Sequence, residues 1–294
     1  MTTENLVLVL ISALLHAVWS LSIKGSRSPV GFNLLQLVPS AIAATALPWL
    51  APLGDLPASV WALVAGSGAV HGLYFYWLSR ALAVGELSVV YPIARSAPAF
   101  VPLVAVPLLG EPVTLIGGLG IAVVVAGMWA VQIETGSLPG ARRLLAPGAA
   151  FAWLTLAASV GYSVLDKLAM TQLHAIPWRG SIPPAATWYI LLSSASLLVF
   201  APLAARQVSA RELGVLARHE GRTVLLAAAI GFAGYGLILH ALRTAPVSYV
   251  VAARQASVLF AVALGALQLR ERPTRLRLAG ALATVLGVVL VANS

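Results

Sequence analysis

The sequence predicts an all-α integral membrane protein with ten transmembrane helices, arranged as two inverted five-helix repeats. Of the 294 residues, 60% are hydrophobic and only 9% are charged, whereas a soluble globular domain carries about a quarter charged residues. The apolar residues fall into runs of the roughly 20 residues that a helix needs to cross the hydrocarbon of a bilayer. No segment shows the alternation of polarity, over about ten residues, that is typical of a transmembrane β-strand.

Ten apolar runs are candidate membrane spans. The segments between them, such as "APLGDLP", "LLGEP" and "RERPTR", hold the glycine, proline and charged residues that end helices. The first run follows "MTTEN", which lacks the basic n-region of a signal peptide, so we expect it to remain in the mature chain. The candidate spans cover residues 5–24, 31–51, 59–81, 87–109, 113–133, 148–170, 185–204, 222–242, 246–269 and 275–292.

The distribution of arginines predicts the orientation of these spans. The loops on one side carry little beyond Arg179 and Arg243, whereas those on the other side carry many basic residues. Because short cytoplasmic loops are enriched in Lys and Arg, we expect both termini on the non-cytoplasmic side of a bacterial-type inner membrane. The arginines assigned to the cytoplasmic side are Arg27, Arg80, Arg142, Arg143, Arg206, Arg211, Arg218, Arg222, Arg270, Arg272, Arg275 and Arg277.

The composition also excludes several classes of function. The chain has no Cys, which removes disulfides, thiolate metal sites and cysteine nucleophiles. The net charge of +9 lies in loops and not beside exposed aromatics on a soluble face, so we expect no nucleic-acid partner. The histidines are scattered, and glycine patterns such as "GGLG" lack the context of a phosphate loop. We therefore expect no metal, no cofactor and no catalytic constellation.

The two halves of the chain resemble each other. A shift of 160 positions pairs Ser88 with Ser248 and Glu111 with Glu271, and it pairs two glycines of the fifth span with two of the tenth. Chance matching between Ala- and Leu-rich helices is the alternative. Each half holds an odd number of spans, so the second half enters the membrane from the opposite side, as in transporters with a site at the repeat interface. The predicted units are residues 1–134, a cytoplasmic linker at 135–147, and residues 148–294.

Two segments carry a resemblance to a known family. They are "ARSAPAFVPLVAVPLLGEPVTLIGGLGIAVVVAGMWA" and "ARQASVLFAVALGALQLRERPTRLRLAGALATVLGVVLV", in each of which a helix ends at a Glu and a helix with spaced glycines follows. Both resemble the hallmark segment of the drug/metabolite transporter superfamily in its ten-helix EamA form, and "LLHAVWSLSIKGS" resembles the first helix of that family more weakly. The resemblance implies a secondary transporter of small metabolites.

Within that superfamily, the resemblance points to the bacterial exporters of aromatic and neutral amino acids. The small multidrug transporters of the same superfamily use a carboxylate in the first helix. This chain has His16 there and no Asp or Glu within the span. Export of cationic drugs by that mechanism is therefore not expected.

Arg95 and Arg254 are permanent charges within apolar runs. Each lies eight residues past the start of its span, or about 12 Å into the membrane. Because the repeats are inverted, Arg95 is expected toward the cytoplasmic side and Arg254 toward the outer side. Two such cations flanking the midplane suit a substrate with a carboxylate or phosphate group. Extension of each side chain to the nearer headgroups is the alternative.

Other polar and aromatic residues within the spans complete the candidate substrate site. Aromatic rings could stack on the substrate, and the histidines could relay protons. The alternatives are an interfacial aromatic belt and histidines that only bond to neighbouring helices. These candidates are Gln255, His16, Trp19, Ser20, His71, Tyr74, Tyr91, Ser96, Tyr162, Ser163 and Tyr235.

Prolines in the fourth span predict a kink. Pro92 and Pro98 each remove a backbone hydrogen bond, whereas the equivalent ninth span contains no proline. The kink is either a gating element or a static bend that shapes the cavity.

The remaining charged residues of interest are assigned structural roles. Asp166 and Lys167 are adjacent near the predicted end of the sixth span and are expected to pair or to reach the headgroups. Glu111 and Glu271 are expected to cap the helices that follow them. With no carboxylate deep in any span, the sequence favours facilitated diffusion over proton coupling.

The predicted function is a secondary transporter that moves small amphipathic metabolites, most of all amino acids, by alternating access. Its partners are a small-molecule substrate and the lipid bilayer, and it could act as a monomer or an oligomer. Transport of phosphorylated metabolites, nucleosides or organic cations is the first alternative. A membrane-embedded enzyme is a remote one, because no acid–base or metal cluster is apparent.

Overall fold

The computed structural model describes residues 1–132, 144–146, 149–268 and 274–294, and all of its regular structure is helical. Seven helices are long and apolar enough to cross a membrane, and two shorter apolar helices lie among them. A 26-residue helix that is less apolar, because it contains Asp166 and Lys167, completes ten spans. The predicted fold class is confirmed.

The first half contains α1 (Thr3–Lys24), α2 (Pro29–Ala44), a single turn α3 (Leu47–Leu50), α4 (Ala58–Val84), α5 (Leu87–Ala94), α6 (Ala97–Leu109) and α7 (Leu115–Gln132). The second contains α8 (Ala150–Ala175), α9 (Pro184–Ala204), α10 (Ala210–Leu242), α11 (Val247–Ala253), α12 (Ser257–Gln268) and α13 (Arg275–Ala292). Most of the predicted linker and Glu271 lie outside the described residues.

Local sequence signals account for several of the helix starts. Thr2, Ser28 and Thr274 each accept a backbone hydrogen bond at the beginning of α1, α2 and α13. At α10, the Ser209 side chain and Glu212 bond reciprocally to each other's backbone in a capping box. These caps satisfy backbone N–H groups that have no partner within the helix.

Five predicted spans differ from the observed helices by a break or by more than three residues at one end. The second span is interrupted at Thr45 and Ala46, between α2 and α3. The sixth span continues to Ala175. The eighth begins at Ala210, because Arg211 and Arg218, which were predicted to lie in the preceding loop, belong to the first part of α10. The other two differences are breaks in the fourth and ninth spans.

The fourth and ninth spans are each divided into two helices at their arginine. Arg95 and Ser96 lie between α5 and α6, while a 3-10 turn, Arg254–Ala256, lies between α11 and α12. The sequence predicted a kink in the fourth span and an uninterrupted helix in the ninth. Proline explains the first break only, because residues 247–268 contain none. Discontinuous helices of this kind are typical of transporter binding sites.

Helices α7 and α13 pack backbone against backbone. A Cβ added at Gly120 would lie 2.8 Å from the Gly287 carbonyl oxygen, and one at Gly127 would lie 2.6 Å from that of Gly280. Glycine is therefore required at all four positions. The two contacts are reciprocal between equivalent positions of the halves, as expected where a pseudo-twofold axis passes between the two helices.

Glu111 links the two halves at the start of α11. Its carboxylate accepts hydrogen bonds from the backbone N–H groups of Val247 (2.6 Å) and Ser248 (3.2 Å) and from the Ser248 hydroxyl (3.0 Å). The residue was predicted to cap α7, the helix that follows it. It caps α11 of the other half instead, a contact between segments more than 130 residues apart.

Candidate functional site

A partly enclosed cavity lies among α1, α2, α4, α8, α9, α10 and the break after α11. Its volume of about 110 Å³ is several times the space that one water molecule needs. The lining combines aromatic rings and polar groups with a single guanidinium. The lining residues are Ser12, His16, Trp19, Gln36, Leu37, His71, Tyr74, Phe75, Tyr162, Tyr189, Leu192, Ser193, Ser196, Ile230, Gly231, Gly234, Tyr235 and Arg254.

Arg254 supplies the positive charge of the cavity. Its Cζ atom lies 5.2 Å from the centre of the Tyr235 ring, and Nη2 lies 3.4 Å from Nδ1 of His16. The Nε atom is buried, and within the described residues it has no hydrogen-bond partner. Nor does any described carboxylate lie within ion-pair distance of Arg254. The guanidinium is held by neutral groups and is available to an anion.

Asp166 is buried in the middle of α8, which corrects its predicted position near a helix end. The side chain is fully buried, and its Oδ1 accepts from the Ser67 hydroxyl (2.6 Å) and the Trp188 indole (3.1 Å). The Tyr235 hydroxyl donates to Oδ2 at 2.5 Å. The expectation that no span holds a deep carboxylate is therefore wrong.

Lys167 points away from Asp166 and ties α8 to the end of α10. Its ammonium donates to the carbonyl oxygens of Leu242 (2.9 Å) and Ala245 (3.0 Å). A cation at the carboxyl end of a helix is favoured by the free carbonyl groups there. Lys167 thus has a structural role, although it does not pair with its neighbour.

His71 connects Asp166 with the aromatic part of the lining. Its Nε2 atom lies 3.9 Å from Oδ2 of Asp166, and its ring stacks on Tyr162 with 4.0 Å between centroids. Tyr74 meets Tyr162 edge-on at 5.4 Å, and Tyr235 meets His71 edge-on at 5.8 Å. Such edge and stacked contacts fix ring positions and leave apolar faces toward the cavity.

A second polar network fixes the opposite wall. The Trp19 indole donates to Oε1 of Gln36 at 2.8 Å, and the Gln36 amide donates to Oδ1 of Asn33 at 2.7 Å. His16 stacks on Trp19 with 5.2 Å between ring centroids. The network therefore reaches from α2 through α1 to Arg254, and it orients the imidazole that faces the guanidinium.

Seven of the predicted site residues line the cavity, and the other six lie outside its lining. Arg95 is half-buried at its helix break, within electrostatic range of Tyr74, Tyr91 and Arg254. Tyr91 is 38% exposed. Three further predicted residues form hydrogen bonds within the protein. Ser96 donates to the Pro92 carbonyl oxygen and accepts from the Trp129 indole. Ser163 donates to the carbonyl oxygen of Ser159, and Gln255 donates to that of Val251.

Ser20 and the two proposed gating prolines also lie outside the cavity lining. Ser20 is half-buried on α1, one residue beyond Trp19 and outside the cavity lining. Pro92 lies inside α5 and Pro98 near the start of α6, on either side of the break at Arg95 and Ser96. The predicted kink is present. Its role in gating stays a prediction.

Sequence reasoning missed Gln36, Asp166, Tyr189 and the serines of α9. A polar residue in an apolar helix was a usable signal for Gln36 and Ser193, because such groups turn inward in a membrane protein. Tyr189 had no such signal, since tyrosine is also common at membrane interfaces. Asp166 was missed because the sixth span was ended five residues early, at 170 instead of Ala175.

Comparisons with known proteins agree with this architecture. The EamA-like transporter family matches residues 5–132 and 146–293, which is nearly the whole chain in two parts. No match was found among curated proteins. Among solved structures, 28 chains match. One of them, described only as "Crystal structure of protein", is 19% identical with a TM-score of 0.73, and 99% of each chain is covered. At that identity the likeness shows the fold alone.

Proposed function

The chain belongs to the EamA-like transporter family, and from that premise we propose that it carries neutral and aromatic amino acids out of the cell. As a member of this family it is a multi-pass membrane transporter with a small-molecule substrate. The substrate class, the outward direction and the inner-membrane location are the proposal. Transport would proceed by alternating access around the cavity described above.

The observation that carries the proposal is the guanidinium of Arg254. It lies on the cavity wall beside His16 and the Tyr235 ring, and its buried Nε has no hydrogen bond among the described residues. Planar guanidinium groups bind carboxylates through two parallel hydrogen bonds. An amino-acid carboxylate would supply the missing partner and is small enough to reach this depth.

The rest of the lining supports an apolar or aromatic side chain. Tyr74, Phe75, Tyr162 and Tyr189 present ring faces and edges to the same space. Small ligands are bound in such sites by apolar surface, with a few polar groups that fix orientation. Gly231 and Gly234 on α10 also line the cavity, and these two positions add no side chain to it.

Counterflow into liposomes tests this proposal. The purified protein is reconstituted in liposomes loaded with one unlabelled amino acid, and uptake of the labelled form is followed without an ion gradient. We expect saturable counterflow of neutral and aromatic amino acids. Arg254→Gln should raise the half-saturation concentration at least tenfold, since it removes a charge-assisted contact worth roughly 1.5–3 kcal/mol. Arg211→Gln, an exposed position on α10, is the matched control.

Two results would contradict the assignment. The absence of counterflow with every amino acid would remove the substrate class and direct the search to phosphorylated metabolites, nucleosides or organic cations. Unchanged half-saturation in Arg254→Gln, with the control also unchanged, would remove Arg254 from the substrate site.

A further inference from the structure

Ser12 of α1 has a buried hydroxyl group without a hydrogen bond. The residue is 1% exposed and lines the cavity, and its Oγ atom has no partner among the described residues. Leaving a buried polar group unbonded is costly, and the great majority of such groups in proteins are bonded. The packing of the described helices does not account for this hydroxyl, so a group that enters the cavity is its natural partner.

Serines elsewhere in the bundle satisfy their hydroxyls within their own helix. Ser22, Ser79, Ser163 and Ser196 each donate to the carbonyl oxygen four residues earlier, at 2.7–3.3 Å. That local bond is open to a serine in the interior of any helix. Ser12 does not form it, which leaves its oxygen free for a group in the cavity.

Ser12 lies one helical turn from the contact between His16 and Arg254. Ser12, His16 and Trp19 follow each other at intervals of four and three residues on one face of α1, and all three line the cavity. Nδ1 of His16 faces Nη2 of Arg254 at 3.4 Å. Because four residues span about 6 Å along a helix, the hydroxyl and the proposed carboxylate site are neighbours in one cavity.

Gly234 on α10 leaves space beside Ser12. A Cβ added at Gly234 would lie 3.2 Å from Cβ of Leu15 and 3.8 Å from the backbone oxygen of Ser12, so α1 and α10 pass close to each other here. Gly234 lines the cavity as well. A larger side chain at this position would occupy the part of the cavity that adjoins Ser12.

We propose that the Ser12 hydroxyl binds the amino group of the substrate while Arg254 binds its carboxylate. A hydroxyl oxygen has two lone pairs, whereas an ammonium group has three N–H donors and no acceptor. In an α-amino acid the ammonium group is attached to the carbon next to the carboxylate, so the two groups need neighbouring partners. The inference rests on the proposed function, and it adds that the site distinguishes α-amino acids from carboxylates without an amino group.

The bonding of the other polar groups favours this pairing. Oε1 of Gln36 accepts from the Trp19 indole, and the Tyr162 hydroxyl accepts from Ser159, so these oxygens are already engaged. A guanidinium group can donate to both oxygens of a carboxylate. The carboxylate therefore has less need of Ser12 than the ammonium group has.

Competition in the counterflow assay tests the amino-group site. Labelled L-phenylalanine is the probe, and the competitors are unlabelled L-phenylalanine and hydrocinnamate, which is phenylalanine without its amino group. We expect Ser12→Ala to raise the half-inhibitory concentration of phenylalanine about tenfold, because a hydrogen bond to a charged group is lost. The value for hydrocinnamate should not change. Ser194→Ala should leave both values unchanged, because the Ser194 hydroxyl donates to the Ile190 carbonyl oxygen outside the cavity lining.

Thermal stability separates a binding role of Ser12 from a structural one. Removal of an unbonded buried hydroxyl should leave the thermal midpoint of the substrate-free protein unchanged or raise it, whereas loss of a structural hydrogen bond would lower it. The midpoint is measured by size-exclusion chromatography of heated, detergent-solubilised samples. The rise in midpoint on addition of phenylalanine or hydrocinnamate gives the same comparison of ligands for a variant that does not transport.

Failure of the amino-group site differs from failure of the proposed function. Equal losses for phenylalanine and hydrocinnamate in Ser12→Ala would overturn the site, and so would an unchanged value for phenylalanine or a lowered midpoint. In each of these cases, counterflow of phenylalanine by the wild-type protein leaves the proposed substrate class standing. Absence of counterflow with every amino acid would overturn both.

Discussion

Tyr235 takes part in both polar networks of the cavity. Its ring lies under the Arg254 guanidinium, with 5.2 Å from Cζ to the ring centroid, while its hydroxyl donates to Asp166. The ring and the hydroxyl therefore serve different partners, and conservative substitutions can separate their roles.

We expect Tyr235→Phe and Tyr235→Leu to differ in substrate affinity. Phenylalanine keeps the aromatic face beneath Arg254, so the half-saturation concentration of counterflow should stay within about twofold of the wild type. Leucine removes a cation–π contact worth roughly 0.5–2 kcal/mol, and the concentration should rise about threefold to thirtyfold. Equal effects of the two substitutions would show that the ring does not position the guanidinium for the substrate.

The sequence identified some residues of the candidate site and not others. Arg254, His71 and Tyr235 were identified because a charge or a polar ring within an apolar run requires a partner or a cavity. Asp166 gave the same signal, yet its significance depends on Ser67, Trp188 and Tyr235, which lie on three other helices. Helix rotation and partners distant in sequence are set by packing, which a single span does not reveal.

At the scale of elements, the two divided spans explain how arginines are tolerated at this depth. Arg95 and Arg254 each follow the last residue of a helix, α5 and α11, where free carbonyl groups favour a cation. The first break follows from Pro92 and Pro98. The second has no helix-breaking residue, and so the sequence predicted a continuous helix there.

The crossing of α7 and α13 should be the least tolerant contact between the halves. Alanine at Gly127 would place its Cβ 2.6 Å from the Gly280 carbonyl oxygen and from the Thr284 nitrogen, so the helices would have to separate. We expect Gly127→Ala to lower the thermal midpoint of the detergent-solubilised protein by several degrees, since overpacking costs about 1–3 kcal/mol.

Gly118 on the same helix provides the matched control for that substitution. The nearest atom to a Cβ added there is Cγ1 of Val113, at 4.0 Å, and alanine favours helix over glycine. Gly118→Ala should therefore leave the midpoint unchanged or raise it slightly. Equal midpoints for the two variants, measured by size-exclusion chromatography of heated samples, would contradict the close crossing.

At the scale of the whole molecule, the two chain ends lie together. The Met1 amino group donates to the Ser294 backbone oxygen at 3.3 Å, which places both ends at one face of the bundle. Arg211 and Arg218, which the sequence assigns to the cytoplasm, lie in the first part of α10. The charge bias therefore predicts one orientation for the entire bundle.

Single cysteines test that orientation directly, because the natural chain contains none. We expect Ser294→Cys to react with a membrane-impermeant maleimide in cells whose outer barrier is permeabilised, and Arg211→Cys to react only after lysis of the inner membrane. The reverse pattern would invert the predicted topology. The cysteine-free parent chain supplies the background in both cases.

The glycine contact between α7 and α13 can form only late in the synthesis of the chain. Helix α7 ends at Gln132 and α13 begins at Arg275, so about 140 residues must be made before the two can meet. At 5–20 residues per second, that interval is roughly 7–30 seconds. During this time the glycine surface of α7 lacks the helix against which it packs in the folded protein. The two helices of this crossing are therefore synthesised one after the other, and their contact forms only once α13 has been made.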